Sequence, residues 1–300
     1  MTFTYRYSKR ILITLLLFLF LRVFSQQITI VNNNSVSLHI KYKTNSIKLN
    51  SKEKKTILNT EINYLTIEYD NGKNESQLIP IFLNPDESLT LNVGNDRSIT
   101  FKGDKDSLHN LIVNQQHYIL YKEIGKYQNI YSTKKNTQEL INYSELVLIN
   151  YLDKIKALHT SANPNKEDKA YERIQKYAIN DWIASLYLIL TGTKKLDLQT
   201  KELILYYYNK YIRKDVDNYN CTYKIQYDIM SDLAKYINQI NISLPKYPII
   251  ESTQDDVINQ YLPKSCKKYY FINNYNYLLH INSPKKEYYK TVLKEKFKDE

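Results

Sequence analysis

The cysteines Cys221 and Cys266 carry the most reactive side chains in this chain of 300 residues, which contains no other cysteine. They lie far apart in sequence and form no Cys-x-x-Cys, so the paired-thiol exchange chemistry of a thioredoxin site is not predicted. Two alternatives stay open at this point. The cysteines either form a structural disulfide, which a secreted chain favours, or remain two buried free thiols.

A second group of residues that could do chemistry is acidic. Glu251, Asp255 and Asp256 could together hold a cation or act in hydrolysis. Their position at the predicted start of a helix gives a structural explanation, because negative side chains interact favourably with the helix dipole there. We therefore assign no catalytic or metal-binding role to them.

Histidine and glycine spacings argue against the common metal and nucleotide sites. No two of the five histidines are four residues apart and none has a zinc-type spacing to a glutamate, so exposed or core-edge imidazoles are expected. The five glycines are too dispersed for a phosphate-binding loop, and Gly-x-Ser-x-Gly is absent. We predict no catalytic residue, no cofactor and no metal. The histidines are His39, His109, His117, His159 and His280.

Two stretches combine aromatic with basic residues, namely 206–214 (YYYNKYIRK) and 267–270 (KKYY). Residues of these types could stack on bases or sugars. Consecutive tyrosines in a helix point in different directions, however, so some are expected in the core and others at the surface. A glycan-binding module that uses exposed tyrosines and Trp182 is kept as an alternative function.

The elements that would position these residues begin with strands. From Gln27 to Phe101 apolar residues recur with period two, which predicts half-buried strands. Residues 70–73 (DNGK) predict a hairpin turn, because Asn-Gly supplies positive φ angles, and residues 84–87 (NPDE) predict a second turn. We predict an antiparallel β-sandwich of about six or seven strands over residues 26–103.

Helices follow the strands. After Gly103 apolar residues recur at steps of three and four, which predicts a helical bundle over residues 104–243, with one of its helices at roughly 199–214. Residues 244–300 are expected to be a C-terminal tail with short helices. The fold class is therefore predicted to be α+β, with an N-terminal antiparallel β-sandwich followed by a helical bundle.

Residues 1–25 have the pattern of a secretory signal peptide. Basic residues precede the apolar run 11–21, and Ser25 is a small residue suited to cleavage. The run is shorter than the roughly 20 apolar residues that span a bilayer, and an uncleaved anchor is the alternative. We expect a secreted or periplasmic protein with no stable membrane span after signal cleavage.

The charge balance indicates solubility and weak surface association. Cleavage would remove four basic residues, Arg6, Lys9, Arg10 and Arg22, and would lower the formal net charge from +11 to +7. This moderate excess favours weak contact with anionic lipid or polyanionic glycans. Nucleic acid is not predicted as a partner.

In three segments, 85–91, 99–104 with Asn110, and 180–188, the chain resembles the N-terminal portion of secreted Bacteroidota TlpA-like thiol-disulfide oxidoreductases. Residues 85–91 (PDESLTL) are similar to the family's Pro-Gly-Asp-Ser turn and strand, and residues 99–104 (ITFKGD) with Asn110 to its Phe-x-Gly step and helix. Residues 180–188 (NDWIASLYL) are similar to a family helix with Ala-x-Tyr-Leu-Leu. The resemblance covers roughly 27–240 and implies an accessory or binding role, with a cell-envelope protein as partner.

The chain also departs from that family. Asp86 stands where the family has glycine and Glu87 where it has aspartate. We expect no catalytic thioredoxin domain after Ile240, where Tyr269–Ile281 could be a remnant strand. The resemblance therefore implies a non-catalytic protein. The alternatives are a degenerate thiol-disulfide oxidoreductase, an unrecognised envelope hydrolase or the glycan-binding module.

Overall fold

The computed structural model describes residues 25–43, 45–59, 61–72, 75–113, 123–133, 136–160, 168–192, 195–250 and 256–297. Of the predicted signal peptide, only Ser25 lies within the described residues. The chain divides into two compact units, Met1–Asn114 with Ala157–Ile174, and Gln115–Lys156 with Gln175–Glu300. Each unit is described by itself below.

The described residues of the first unit form two four-stranded sheets. The first sheet has the strand order β4-β1-β7-β8 and the second the order β3-β2-β5-β6. The strands are β1 Gln26–Asn32, β2 Leu38–Tyr42, β3 Asn45–Leu49, β4 Lys54–Asn59, β5 Tyr64–Tyr69, β6 Ser76–Pro80, β7 Ser88–Val93 and β8 Ile99–Gly103.

Strand pairing corrects the prediction in two respects. The described residues contain eight strands rather than six or seven, and β1 pairs with β7 in parallel, whereas the other neighbours are antiparallel. A parallel pair requires a long connection between its strands. Here strands β2 to β6 lie between them in sequence, a return that period-two alternation alone does not reveal.

Alternation along the strands produces the core of this unit. Inward residues such as Ile28 and Ile30 of β1 and Leu89 and Leu91 of β7 are at most 1% exposed. Buried side chains of both sheets belong to the same hydrophobic core. The strands on either side of the predicted turn at 70–73 pair antiparallel, β5 with β6, and Gly72 has a φ of 72°. Lys73 lies outside the described residues.

The described helices comprise α1 in the first unit, followed by α2 to α9. Their bounds are α1 Asp106–Val113, α2 Ile124–Thr133, α3 Thr137–Thr160, α4 Lys169–Leu190, α5 Leu198–Tyr207, α6 Lys224–Ile240, α7 Asp256–Asn259, α8 Lys264–His280 and α9 Lys286–Lys296. Tyr269–Ile281, where a remnant strand was expected, lies almost entirely in α8. Within the described ranges, no helix is both long and apolar enough to cross a membrane.

The helix predicted over 199–214 has an irregular end. The α-helical part stops at Tyr207 and continues as a π-helical turn at Tyr208–Ile212 and a 3-10 helix at Arg213–Asn218. In the π-helical turn, the Arg213 amide donates to the Tyr208 carbonyl, five residues earlier. Spacing of apolar residues predicted a helix here but not this change of helix type.

Candidate functional site

The turn at 84–87 is a structural junction of the first unit. Pro85 is followed by Asp86 with a φ of 76°, the backbone value of the third residue of a type II turn, at which glycine is favoured. The Glu87 amide donates to the Asn84 carbonyl at 3.3 Å, and the Asn84 amide donates to Glu87 Oε2 at 2.6 Å. The turn is therefore closed both by its backbone and by the Glu87 carboxylate.

The same turn joins a partly buried ionic cluster. Lys105, whose side chain is 7% exposed, pairs with Glu87 and lies 3.3 Å from Asp168. The Asn84 amide group donates to Asp168 Oδ1 at 2.8 Å. His159 Nδ1 is 3.6 Å from Asp168 Oδ2. A lysine between two carboxylates inside a folded unit holds its neighbours in place, because separating them would leave buried charges unpaired.

Asp168 also caps helix α4. Its Oδ1 accepts from the Tyr171 amide at 3.0 Å, the arrangement of an N-terminal capping residue. Burial acts to raise the pKa of Asp168, but hydrogen bonds from Asn84 and the Tyr171 amide, together with the Lys105 charge, hold that pKa below its usual value. The Asp168 carboxylate is therefore ionised and pairs with Lys105, and it is not poised to accept a proton in a reaction.

Asn110 and Gly103 lie at the edge of the first sheet, where Asn110 contacts strand β8 and Gly103 ends it. Asn110 Oδ1 accepts from the Phe101 amide at 3.1 Å and its amide group donates to the Phe101 carbonyl at 3.2 Å. Asn110 therefore satisfies the outward backbone groups of edge strand β8. Gly103 has a φ of 116°, and an added Cβ would lie 2.7 Å from the Ser88 carbonyl oxygen.

His109 lies beside that edge and is fully buried. This differs from the prediction of an imidazole at the surface or at the edge of the core. His109 Nε2 accepts from the Phe82 amide at 3.0 Å, and its Nδ1 lies 2.8 Å from the Lys105 carbonyl oxygen. Because the Phe82 amide can only donate and the carbonyl only accept, the proton resides on Nδ1. Burial lowers the pKa of His109 to about 4. The imidazole is a neutral structural connector.

The aromatic-basic stretch at 206–214 converges on Glu145 of helix α3. Glu145 Oε1 accepts from the hydroxyls of Tyr206 at 2.7 Å and Tyr211 at 2.9 Å, and from the Lys210 ammonium at 2.5 Å. The Lys210 side chain is 46% exposed and that of Glu145 19% exposed. We call these four residues the tyrosine-lysine cluster.

The π-helical turn explains this convergence. Residues four apart share a face of an α-helix, whereas residues five apart do not. The wider π-helical turn brings Tyr206, Lys210 and Tyr211 toward one side, where a single carboxylate contacts all three. Sequence analysis missed Glu145 because it lies far from this stretch in sequence.

Charges in the tyrosine-lysine cluster stabilise each other. Burial acts to raise the pKa of Glu145, but hydrogen bonds from Lys210, Tyr206 and Tyr211 lower it overall. Hydrogen bonds to Glu145 and Tyr206 raise the pKa of Lys210 above its ordinary value. Both groups are consequently charged at neutral pH, and the cluster presents a half-exposed ammonium bordered by two aromatic rings.

Trp182 lies beneath this cluster and is not exposed. Its indole N–H donates to the Ser144 carbonyl at 3.0 Å, and its ring meets Tyr207 and Tyr211 edge to face, with centroids 5.3 Å and 5.1 Å away. The side chain has no solvent exposure. Trp182 therefore cannot serve as the surface platform considered for glycan binding.

Cys221 and Cys266 form a disulfide with Cα atoms 4.9 Å apart. The two residues are 4% and 0% exposed. Cys266 lies in the first turn of α8, and the Cys221 amide donates to the Ser265 hydroxyl at 3.1 Å. The bridge thus fastens the segment after the 3-10 helix to the start of α8 within the second unit.

The second aromatic-basic stretch, 267–270, is mostly interior. Lys267 is 1% exposed, and its ammonium donates to the Pro248 carbonyl. Burial lowers the pKa of Lys267 to about 8. Tyr269 and Tyr270 are 8% and 2% exposed. These side chains do not form an exposed stacking surface for bases or sugars.

The remaining candidate residues are the acidic group near residue 255 and the other histidines, and only some of them lie in the described part of the chain. Glu251 and Asp255 lie outside the described residues, and Asp256 begins the short helix α7. Across the described ranges, no group of three or more His, Cys, Asp or Glu side chains could hold a metal ion. His39 is partly exposed and His280 exposed, while His117 lies outside the described residues.

Comparison with known proteins adds no family assignment. The chain matches no protein-family model and shows no significant similarity to a curated protein.

Proposed function

We propose that the chain is an extracytoplasmic, non-catalytic accessory protein that binds another protein of the cell envelope. The observation that carries the proposal is the buried disulfide between Cys221 and Cys266. Disulfides persist mainly in secreted and periplasmic proteins. Thiol-disulfide exchange needs an accessible sulfur for an attacking thiolate, and these two sulfurs belong to residues at most 4% exposed.

In this proposal the first unit is a β-sandwich similar to the N-terminal portion of secreted Bacteroidota TlpA-like thiol-disulfide oxidoreductases, and the second unit is a helical bundle. The common core of the two sheets supports the sandwich. The left-handed backbone of Asp86, where that family has glycine, and the contacts of Gly103 and Asn110 support the resemblance.

The tyrosine-lysine cluster is the proposed binding face. Tyrosine is among the residues that are enriched at the energetically important positions of protein interfaces. A π-helical turn often marks a functional site, since it disrupts regular helical hydrogen bonding. Asn209 and Lys210 are exposed beside Glu145, Tyr206 and Tyr211, so a partner could contact the cluster without prior unfolding.

Two measurements test the proposal. The first is reduction of insulin by the purified protein and by the Cys221→Ser/Cys266→Ser variant, in which both should stay at background. Turnover by the parent protein that is lost in the variant would establish a degenerate oxidoreductase instead.

The second measurement is crosslinking in cells. It places a photo-crosslinking residue at Asn209, with exposed Lys55 as the control position.

The crosslinking result should be one discrete adduct with an envelope protein from position 209 and none from position 55. Lys210→Ala should reduce the yield of that adduct, because the ammonium belongs to the proposed face. Identical adducts from both positions, or none from 209, would remove the binding assignment. The insulin measurement is independent of this outcome.

A further inference from the structure

Helices α8 and α9 form a hairpin whose tip is rich in exposed apolar side chains. The tip comprises residues 277–290, from the last turn of α8 to the first turns of α9. Large exposed apolar groups gathered at one place often mark an interaction surface. The exposed members are Tyr277 at 62%, Leu279 at 44%, Ile281 at 51% and Tyr288 at 42%.

The turn that carries these residues has a defined structure. Asn282 adopts a left-handed φ of 50°, its amide donates to the Leu279 carbonyl at 3.1 Å, and the Ser283 amide donates to the Leu278 carbonyl at 2.8 Å. These two bonds form the Schellman motif that ends many helices. Asparagine tolerates the left-handed region better than most residues. The backbone therefore holds the exposed side chains in place.

Packing behind the tip fastens the hairpin together. Phe271 of α8 is fully buried and contacts Tyr289 and Phe297, with ring centroids 5.8 Å apart in each case. Val292 of α9 is 4% exposed. The apolar residues of the hairpin thus divide into an inner set that makes a small core and an outer set that remains exposed at the tip.

The hairpin is also strongly basic. Lys264–Lys296 contains eight lysines and two glutamates. At the tip itself, Lys285 and Lys290 are exposed beside the apolar residues, and the acidic residue there, Glu287, has its Oε2 3.7 Å from the Lys290 ammonium. A surface biased toward positive charge attracts a partner of negative charge, such as a layer of anionic headgroups.

We propose that the hairpin tip docks on the surface of an anionic bilayer. Tyrosines favour the headgroup level, where their rings are apolar and their hydroxyls remain hydrated. Leu279 and Ile281 would enter the boundary of the acyl chains, and the neighbouring lysines would contact anionic headgroups. This is peripheral binding, which needs no membrane-spanning helix.

The test measures co-sedimentation of the exported protein with vesicles of phosphatidylcholine alone or with about 30% phosphatidylglycerol. We expect binding to the anionic vesicles that weakens as salt rises, because exposed charges are screened. Lys285→Gln/Lys290→Gln should weaken partitioning by roughly 5-fold per lysine removed. Lys54→Gln/Lys55→Gln, which alters two exposed lysines of β4, should leave it nearly unchanged.

The contribution of the apolar side chains to vesicle binding is tested with a tip variant and a matched control variant. Tyr277→Ser/Ile281→Ser should reduce binding to anionic vesicles at least 10-fold, whereas Leu146→Ser/Ile149→Ser, at residues 54% and 53% exposed on α3, should not. Equal binding to both vesicle types, equal losses in tip and control variants, or no vesicle binding at low salt would each overturn the proposal. The last result would indicate a protein occupant instead.

Discussion

Polar side chains form hydrogen bonds with different kinds of partner in the two units. In the first unit they mainly bind backbone groups: Gln26 donates to the Leu83 carbonyl and accepts from the Ile62 amide, both at 2.7 Å. Asn110 does the same for Phe101. In the second unit polar side chains often bind one another, as in the tyrosine-lysine cluster and the Ser144–Tyr207 hydroxyl pair, 2.7 Å apart.

The difference follows from secondary structure. A sheet has edges and connecting loops whose amides and carbonyls need partners once they are buried, and side chains supply them. Helices satisfy their interior amides themselves, so buried tyrosine hydroxyls bind side chains, as Tyr207 binds Ser144, or accessible carbonyls, as Tyr208 binds that of Ser243. Substitutions of polar side chains in the first unit should therefore change the backbone conformation of loops and sheet edges. Those in the second unit should disturb contacts between helices.

The largest effect should come from the strongest side-chain link of the second unit, the disulfide. Cys221→Ser/Cys266→Ser should lower the free energy of unfolding by roughly 2–4 kcal/mol, because the bridge restricts the unfolded chain. Hydrogen exchange should show the loss in α6 and α8 and not in β1 or β7. Urea unfolding that matches the parent protein would contradict a stabilising role.

Acid should selectively lower the stability of the first unit through protonation of His109. The folded pKa of His109, about 4, lies below the usual 6.5, so its stabilisation is complete above about pH 6.5 and is lost as pH falls toward 4. Protonated Nε2 could no longer accept from the Phe82 amide. Stability should decline by up to about 3 kcal/mol across this window.

His109→Gln provides the control for that decline. Glutamine can still accept a hydrogen bond but does not titrate, so the variant should lose much of the pH dependence between 6.5 and 4. The measurement is urea unfolding followed by strand-specific hydrogen exchange. An undiminished acid response in the variant would show that other groups cause it.

The second unit should respond to pH in the opposite direction through Asp232. Burial raises the pKa of Asp232 to about 6, so the stabilisation of its neutral form is present below about pH 4 and is lost as pH rises through 6. Asp232→Asn should therefore increase stability at pH 8 by about 1 kcal/mol. Equal stability of variant and parent at pH 8 would refute this effect.

Much of the architecture was predictable because it depends on local periodicity. The mixed α+β class, the pairing of β5 with β6 around Gly72 and the change from strands to helices after Gly103 follow from apolar spacing and turn residues. The parallel pairing of β1 with β7 did not follow, since no local pattern records which strand returns beside which.

The candidate sites were less predictable, because their members are distant in sequence. Glu145 gains its role from Tyr206, and His109 from the Phe82 amide, over separations of 61 and 27 positions. Trp182 looked suited to a surface because aromatic type alone does not indicate burial. The aromatic-basic stretch at 206–214 was recognised, but the π-helical turn that orients it leaves no spacing signature.

The smallest expected effect concerns Asp86, where substitution should stabilise the protein, as it should at Asp232. A left-handed backbone disfavours residues other than glycine by about 1–2 kcal/mol, while glycine gains unfolded-state entropy worth roughly 0.5–1 kcal/mol. Asp86→Gly should therefore stabilise the first unit by about 0.5–1 kcal/mol in urea unfolding. Ser35→Gly, at an exposed loop residue without a positive φ, should be neutral or destabilising. If both variants lose stability equally, backbone strain at Asp86 is not what distinguishes this turn, and its side-chain contacts outweigh the steric gain.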